Sequence, residues 1–158
     1  MSQDRSNCTA YNELCLALAN EAIRKGGNIN ESVIKAAEAA WLEESLSSDW
    51  AVIESSMNAR ETRAGRKNQV LFALGVCDKE DFRYTDVERI VRAEFPRTTR
   101  DITLNVNQIL TGLEQLPSQL IRRTARGDAY RFVSPKIRIA IRTGLIKTSS
   151  ETVEKARI

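Results

Sequence analysis

The sequence predicts a mainly helical fold with one β-hairpin near its C-terminus. Apolar residues recur at steps of three and four along most of the 158-residue chain, which is the spacing of a helix with one buried face. The chain has only 7 glycines and 3 prolines, so few positions interrupt helices. Residues 120–133 differ, because two short runs rich in β-branched and aromatic residues flank a polar turn. That stretch predicts a hairpin.

The first sixty residues predict three helices. The first begins at a Thr9 cap and ends at Gly26–Gly27, where glycine accommodates the left-handed backbone that closes many helices. Asn30 caps the second helix, and Ser48–Asp49 opens the third. We expect residues 1–62 to form a lid-like three-helix bundle. A basic junction containing Arg60, Arg63, Arg66 and Lys67 follows it. The apolar stripes predicted to be buried comprise Tyr11, Leu14, Cys15, Leu18 and Ala22 on the first helix, Val33, Ile34, Ala37 and Trp41 on the second, and Val52, Ile53 and Met57 on the third.

Residues 63–147 predict a second domain that begins with three helices. Val70–Val76 is short and almost wholly apolar. Thr85–Glu88 matches a capping box, and the helix that follows it must end before Pro96. Thr98 or Thr99 is expected to cap the third helix, residues 100–115.

The hairpin comes next in this domain. Leu120–Thr124 and Ala129–Val133 are the predicted strands, and Ala125–Asp128 is the turn between them. Ser134–Pro135 is a cap followed by a first-turn proline, which predicts a helix that ends at Gly144, although Ile137–Ile141 also alternates like a strand. Three helices followed by a hairpin form the winged-helix arrangement. The polar tail, residues 148–158, is expected to be disordered or frayed.

Charge is distributed unevenly along the chain. Residues 1–60 carry 5 basic and 9 acidic side chains, whereas residues 117–158 carry 10 and 3. A basic C-terminal face attracts phosphate groups, so double-stranded DNA is one expected partner. The 3 cysteines are odd in number and lack CxxC spacing, and no apolar run approaches a membrane span. These features predict a cytoplasmic protein with no membrane partner.

The chain contains no histidine. This excludes Ser-His and Cys-His nucleophile pairs, imidazole general bases and histidine-containing metal sites. We therefore expect a binding protein rather than an enzyme, with no catalytic residue, no metal and no cofactor.

Two stretches resemble a known family. One runs from Tyr11–Ala19 through Gly26–Glu31 to the helix Val33–Glu44, and the other is Tyr130–Pro135. They are similar to the C-terminal region of AAA+ and related P-loop ATPases, including origin-recognition-type initiators and bacterial signal-transduction ATPases. In that region a helical lid leads into a winged-helix domain. The likeness covers about residues 9–146. The phosphate-binding motif GxxxxGK[ST] is absent, so the resemblance implies a region without the nucleotide-binding core.

Two groups of residues are candidates for binding. Arginine suits phosphate because its planar guanidinium donates two parallel hydrogen bonds, and four arginines lie on the predicted hairpin. The predicted helix 100–115 would read base edges with asparagine and glutamine, although Arg100 is its only basic residue. The candidate residues are Arg122, Arg123, Arg126 and Arg131 on the hairpin and Arg100, Asn105, Asn107 and Gln108 on the helix.

Three hypotheses follow. In the first hypothesis, the chain is the non-catalytic C-terminal region of a P-loop ATPase. Its winged helix then binds DNA or docks a partner such as the ATPase core of a longer chain. Alternatively, it is a freestanding winged-helix transcriptional regulator whose N-terminal helices dimerise. In the third hypothesis, it is a protein-interaction module whose wing meets an acidic partner without DNA.

Overall fold

The computed structural model describes residues 2–45, 47–57 and 66–156. This part of the chain contains seven helices and four short strands, so the prediction of a mainly helical fold is confirmed. The helices are α1 (Ser2–Arg24), α2 (Glu31–Ser45), α3 (Ser47–Ser55), α4 (Arg66–Val76), α5 (Tyr84–Glu94), α6 (Val106–Leu113) and α7 (Pro135–Gly144). The strands are β1 (Ile121–Arg123), β2 (Tyr130–Phe132), β3 (Leu145–Lys147) and β4 (Val153–Lys155).

The three predicted N-terminal helices are present, and only the start of the first differs from the prediction. Helix α1 begins at Ser2, so Thr9 lies within it and is not its cap. Gly26 and Gly27 end the helix as predicted, with φ angles of 92° and 87°. The Asn30 side chain accepts a hydrogen bond of 3.0 Å from the Val33 N–H, which confirms its role as the cap of α2.

Two helix starts in the second half were predicted wrongly. Helix α5 begins at Tyr84, and the Asp86 carboxylate accepts from the Arg83 N–H at 2.9 Å, so Thr85 and Glu88 do not form the capping pair. Helix α6 begins at Val106 rather than at residue 100, because Asp101 and Asn105 have left-handed φ angles of 54° and 53° that no helix can include.

The predicted hairpin is confirmed. Strands β1 and β2 pair antiparallel, with Arg122 opposite Arg131 and Arg123 opposite Tyr130. Residues 121–132 are called the arginine hairpin below. Phe82 extends this ribbon, since its N–H and carbonyl group exchange hydrogen bonds of 3.0 and 2.8 Å with Tyr130.

The helix after the hairpin is also confirmed. The Ser134 hydroxyl accepts a hydrogen bond of 3.2 Å from the Lys136 N–H at the start of α7, and Pro135 occupies its first turn. Ile137, Ala140 and Ile141 are buried on one face. The local cap therefore decided between a helix and the alternating strand pattern.

The expectation of a frayed tail is wrong for residues 148–156. Strands β3 and β4 pair antiparallel, and residues 145–155 are called the tail hairpin. Its turn contains Glu151, which is 7% exposed. The Glu151 carboxylate accepts hydrogen bonds from the backbone N–H groups of Arg97 and Thr98 at 2.9–3.1 Å, so a buried charge fastens the tail to the segment after α5.

One continuous hydrophobic core joins the N-terminal helices to the rest of the described chain. Trp41 and Ile53 belong to the same buried cluster as the apolar residues of α4 to α7. Helix α7 packs closely on both sides: a Cβ added at Gly75 of α4 would lie 2.7 Å from Ile141 Cγ2, and one added at Gly144 would lie 2.6 Å from Trp50 Cη2. The predicted domain boundary at residues 62–63, and the junction residues Arg60 and Arg63, lie outside the described residues.

Candidate functional site

The inner face of the arginine hairpin is anchored by aromatic packing. Tyr130 stacks on Phe82 with ring centroids 6.3 Å apart, and Phe132 lies 5.7 Å from the same ring. Ile121, opposite Phe132 in the register, is fully buried. These contacts fix the ribbon on the core, so the side chains on its other face are held in defined positions.

The outer face carries two arginines directly opposite each other. The register sets Arg122 of β1 against Arg131 of β2. Like charges at facing positions destabilise a sheet, so such a pair needs compensation. Arg131 has it: its Nε and Nη2 donate to the two oxygens of Asp81 at 2.6 and 3.0 Å, and Glu80 lies 3.5 Å away.

Arg123 points to α6 instead. Its Nε donates to the Glu114 carboxylate just after α6 at 3.0 Å, and its guanidinium carbon lies 5.1 Å from the Tyr130 ring centroid. The hydrogen bond with Glu114 raises the pKa of Arg123. Arg123 therefore connects the hairpin to α6.

An open groove of about 820 Å³ is lined by residues of the arginine hairpin and of the segment 79–86. Six basic and three acidic side chains line it, and its apolar lining consists of Ala125 and Ala129. The charged residues are Lys79, Arg83, Arg122, Arg123, Arg126, Arg131, Asp81, Asp86 and Asp128. A groove of this composition suits a polyanion better than an apolar ligand.

Ion pairs occupy part of this groove. Arg83 Nη2 lies 2.9 Å from Asp128 Oδ2, which bridges the segment before α5 and the hairpin turn. Lys79 Nζ lies 2.6 Å from Asp86 Oδ1. Hydrogen bonds from Lys79 and then from the Arg83 backbone lower the pKa of Asp86. The hydrogen bonds from Arg131 likewise lower the pKa of Asp81. Both carboxylates therefore remain ionised at neutral pH.

Arg122 and Arg126 differ from the other groove cations. Both are exposed, and neither forms an ion pair with a carboxylate whose side chain the structure describes. Arg126 lies in the turn before Gly127, and Arg122 lies on the strand. The described part of the hairpin thus presents two uncompensated guanidinium groups at the edge of the groove.

The other predicted group of residues is not part of this groove. Asn107 and Gln108 are exposed on α6, as predicted, and Asn105 is the residue before the helix. Arg100 is exposed but lies in the turn that precedes Asn105, so its assignment to the helix was wrong. Helix α6 itself, Val106–Leu113, contains no charged residue.

Lys79 and Arg83 were not among the site residues predicted from the sequence. The segment 78–83 carries three acidic and two basic residues and has no pattern that would connect it to the hairpin. Its proximity to the hairpin depends on the Phe82–Tyr130 bridge, which spans 48 positions and leaves no local signal.

In comparisons with known proteins, no protein-family model, curated protein or solved structure matches the chain. Within the described helices, none combines the length and apolar character needed to cross a membrane. The described side chains include no cluster of three or more histidine, cysteine or acidic residues suited to a metal ion.

Proposed function

We propose that this chain is a non-catalytic binding module whose second half is a winged helix that contacts duplex DNA through the arginine hairpin. The order of elements from α4 supports this proposal: a helix, the bridging residue Phe82, two helices and then the hairpin. Phe82 lies beside β2, so the ribbon has the three-membered form expected when a strand between the first two helices joins the wing.

The observation that carries the proposal is the uncompensated charge of Arg122 and Arg126. The charges of Arg83 and Arg131, in contrast, are offset by the carboxylates of Asp128 and Asp81. Arg122 and Arg126 have no carboxylate partner among the described side chains, so an anion can bind them without breaking a described ion pair. Backbone phosphate is the repeating anion of duplex DNA, and arginine binds it with parallel hydrogen bonds.

The proposed contact follows the phosphate backbone rather than base sequence. A helix that reads the major groove normally combines base-contacting side chains with basic residues that hold it on the duplex. Helix α6 offers Asn107 and Gln108 but no charge within Val106–Leu113. We therefore assign most of the binding energy to the hairpin, and little sequence preference.

The wider setting is also part of this proposal. The resemblance to the lid and winged helix of P-loop ATPases, together with the missing phosphate-binding motif, supports a C-terminal region that acts beside a separate ATPase core. The absence of histidine supports a non-catalytic role.

A second candidate function is docking to a protein. The observation that favours it is the apolar surface near α6, where Leu116 is 81% exposed and Ile102 is 42% exposed. An uncharged helix flanked by exposed apolar side chains suits a protein partner better than a phosphate backbone.

The test is duplex binding measured over a range of salt concentrations. The wild-type chain should lose affinity steeply as salt rises, and the double variant Arg122→Ala/Arg126→Ala should reduce the slope of log K against log salt by about 1.8, since each phosphate contact contributes about 0.9. The matched control is Arg24→Ala/Lys35→Ala, which removes two exposed charges from α1 and α2. No binding to any duplex at low salt would overturn the DNA assignment and favour protein docking.

A further inference from the structure

The carboxylates Asp81 and Asp128 occupy positions that suit a phosphate group. Asp81 accepts two hydrogen bonds from the side chain of Arg131, at 2.6 and 3.0 Å, which is the paired geometry that a guanidinium offers to phosphate. Asp128 accepts a hydrogen bond from Arg83 at 2.9 Å. Both acids line the same groove as Arg122 and Arg126.

These ion pairs are exposed, unlike the Glu151 site. The Asp81 and Asp128 side chains are 46% and 51% exposed. Exposed pairs contribute little to stability because water competes with them. An incoming phosphate can therefore replace either carboxylate while the fold stays intact.

A phosphate bound at Arg131 would also reduce charge repulsion within the hairpin. It faces Arg122 across the ribbon, and an anion between two facing guanidinium groups relieves their repulsion for both. Asp81 lies on the side of Arg131, close to Phe82, so it compensates Arg131 but not Arg122. A phosphate bound to both arginines would compensate the whole pair.

We propose that Asp81 and Asp128 are built-in competitors for backbone phosphate, which hold Arg131 and Arg83 in place and weaken the affinity of the groove. This inference rests on the proposed function and extends it: the interface includes four arginines, of which two must exchange a carboxylate for a phosphate on binding. The acids thereby keep the module from binding polyanions too tightly.

The experiment measures duplex affinity and its salt dependence for Asp81→Asn, Asp128→Asn and the double variant. Each single variant should bind duplex more tightly than wild type, because Arg131 or Arg83 no longer has to exchange a carboxylate for a phosphate. The number of phosphate contacts in the complex stays the same, so the salt slope should stay close to that of wild type. The gain from Asp81→Asn is limited by Glu80, which lies 3.5 Å from Arg131. The matched control is Glu31→Gln, which removes a carboxylate from an exposed ion pair with Lys35 on α2 and changes net charge equally. Asp81→Glu keeps the competing charge and should stay close to wild type.

The outcomes separate the two proposals. If wild type binds duplex and the asparagine variants bind no better than Glu31→Gln, the competitor role is wrong while the proposed function stands. If neither wild type nor the double asparagine variant binds duplex at low salt, both are wrong. Thermal melting of each variant verifies folding, and the exposed positions of both acids predict wild-type melting temperatures.

Discussion

The two hairpins of this protein have similar backbones but are stabilised in different ways. Each has three-residue strands and one left-handed residue in its turn: Gly127 in the arginine hairpin, with φ 74°, and Glu151 in the tail hairpin, with φ 61°. In the tail hairpin, the turn carboxylate is buried and holds the hairpin to the fold. In the arginine hairpin, the turn carboxylate Asp128 is exposed and pairs with Arg83. The buried Glu151 carboxylate therefore holds the tail hairpin to the fold, whereas the exposed Asp128 carboxylate offsets the charge of Arg83.

The largest expected effect concerns the start of the tail hairpin. Gly144→Ala would add a Cβ 2.6 Å from Trp50 Cη2 and still closer to Cζ3. The gain in helix propensity is at most about 1 kcal/mol. Overpacking against a ring held between α3 and α7 typically costs about 1–3 kcal/mol, and here the upper end applies because two ring atoms must move. Urea unfolding should show a net loss of about 2 kcal/mol.

The control for this substitution is Gly112→Ala on α6. A Cβ at Gly112 would meet no atom within 4 Å, so the alanine should be neutral or stabilise by up to about 1 kcal/mol. The Gly144 carbonyl also accepts a hydrogen bond from the Ala156 N–H at 2.9 Å. Movement at Gly144 should therefore weaken the tail hairpin, and its amide hydrogens should exchange faster, by a larger factor than those of the arginine hairpin. Equal stability of the two alanine variants would contradict the close Trp50 contact.

The next effect tests the buried carboxylate through pH. Burial by itself raises the pKa of Glu151, but hydrogen bonds from the Thr98 and Arg97 backbones, and then from their side chains, lower it from 4.5 to about 2. A lowered folded-state pKa means that ionised Glu151 stabilises the fold above about pH 4.5. That contribution is lost as the pH falls through about 2.

Glu151→Gln should therefore lower the melting temperature by several degrees at neutral pH, because an amide cannot replace a charged acceptor of several N–H groups. The difference between wild type and variant should shrink as the pH falls from 4.5 through about 2, because both side chains are uncharged only below that value. Glu154→Gln is the control, since Glu154 is exposed on the same hairpin. A difference that stays constant with pH would show that the carboxylate charge does not hold the tail.

The same contrast explains what could be predicted from sequence. The arginine hairpin and α7 depend on local signals, such as the turn before Gly127 and the Ser134 cap, and both were predicted. The tail hairpin depends on hydrogen bonds between Glu151 and residues more than fifty positions away, at Arg97 and Thr98. A single polar turn sequence contains no sign of such distant partners.

The candidate site divides in the same way. All four hairpin arginines could be selected from their sequence cluster, because they lie within ten positions of one another. The ion-pair partners of these arginines could not be predicted. Asp81 lies 50 positions before Arg131, and Glu114 lies at the end of α6, outside the hairpin. The start of α6 was missed because Asp101 and Asn105 adopt left-handed backbone, which asparagine and aspartate tolerate but do not require.

The smallest expected effect compares the two turns directly. Gly127 has positive φ and open space around it, so Gly127→Ala costs only the backbone strain of a left-handed alanine, about 1 kcal/mol. Asparagine tolerates this conformation better, so Gly127→Asn should lose less. Glu151 bears the same strain in the tail hairpin, where the buried hydrogen bonds to its carboxylate offset it. Urea unfolding of both Gly127 variants measures the difference, and an alanine variant as stable as wild type would mean that the arginine hairpin does not depend on glycine at its turn.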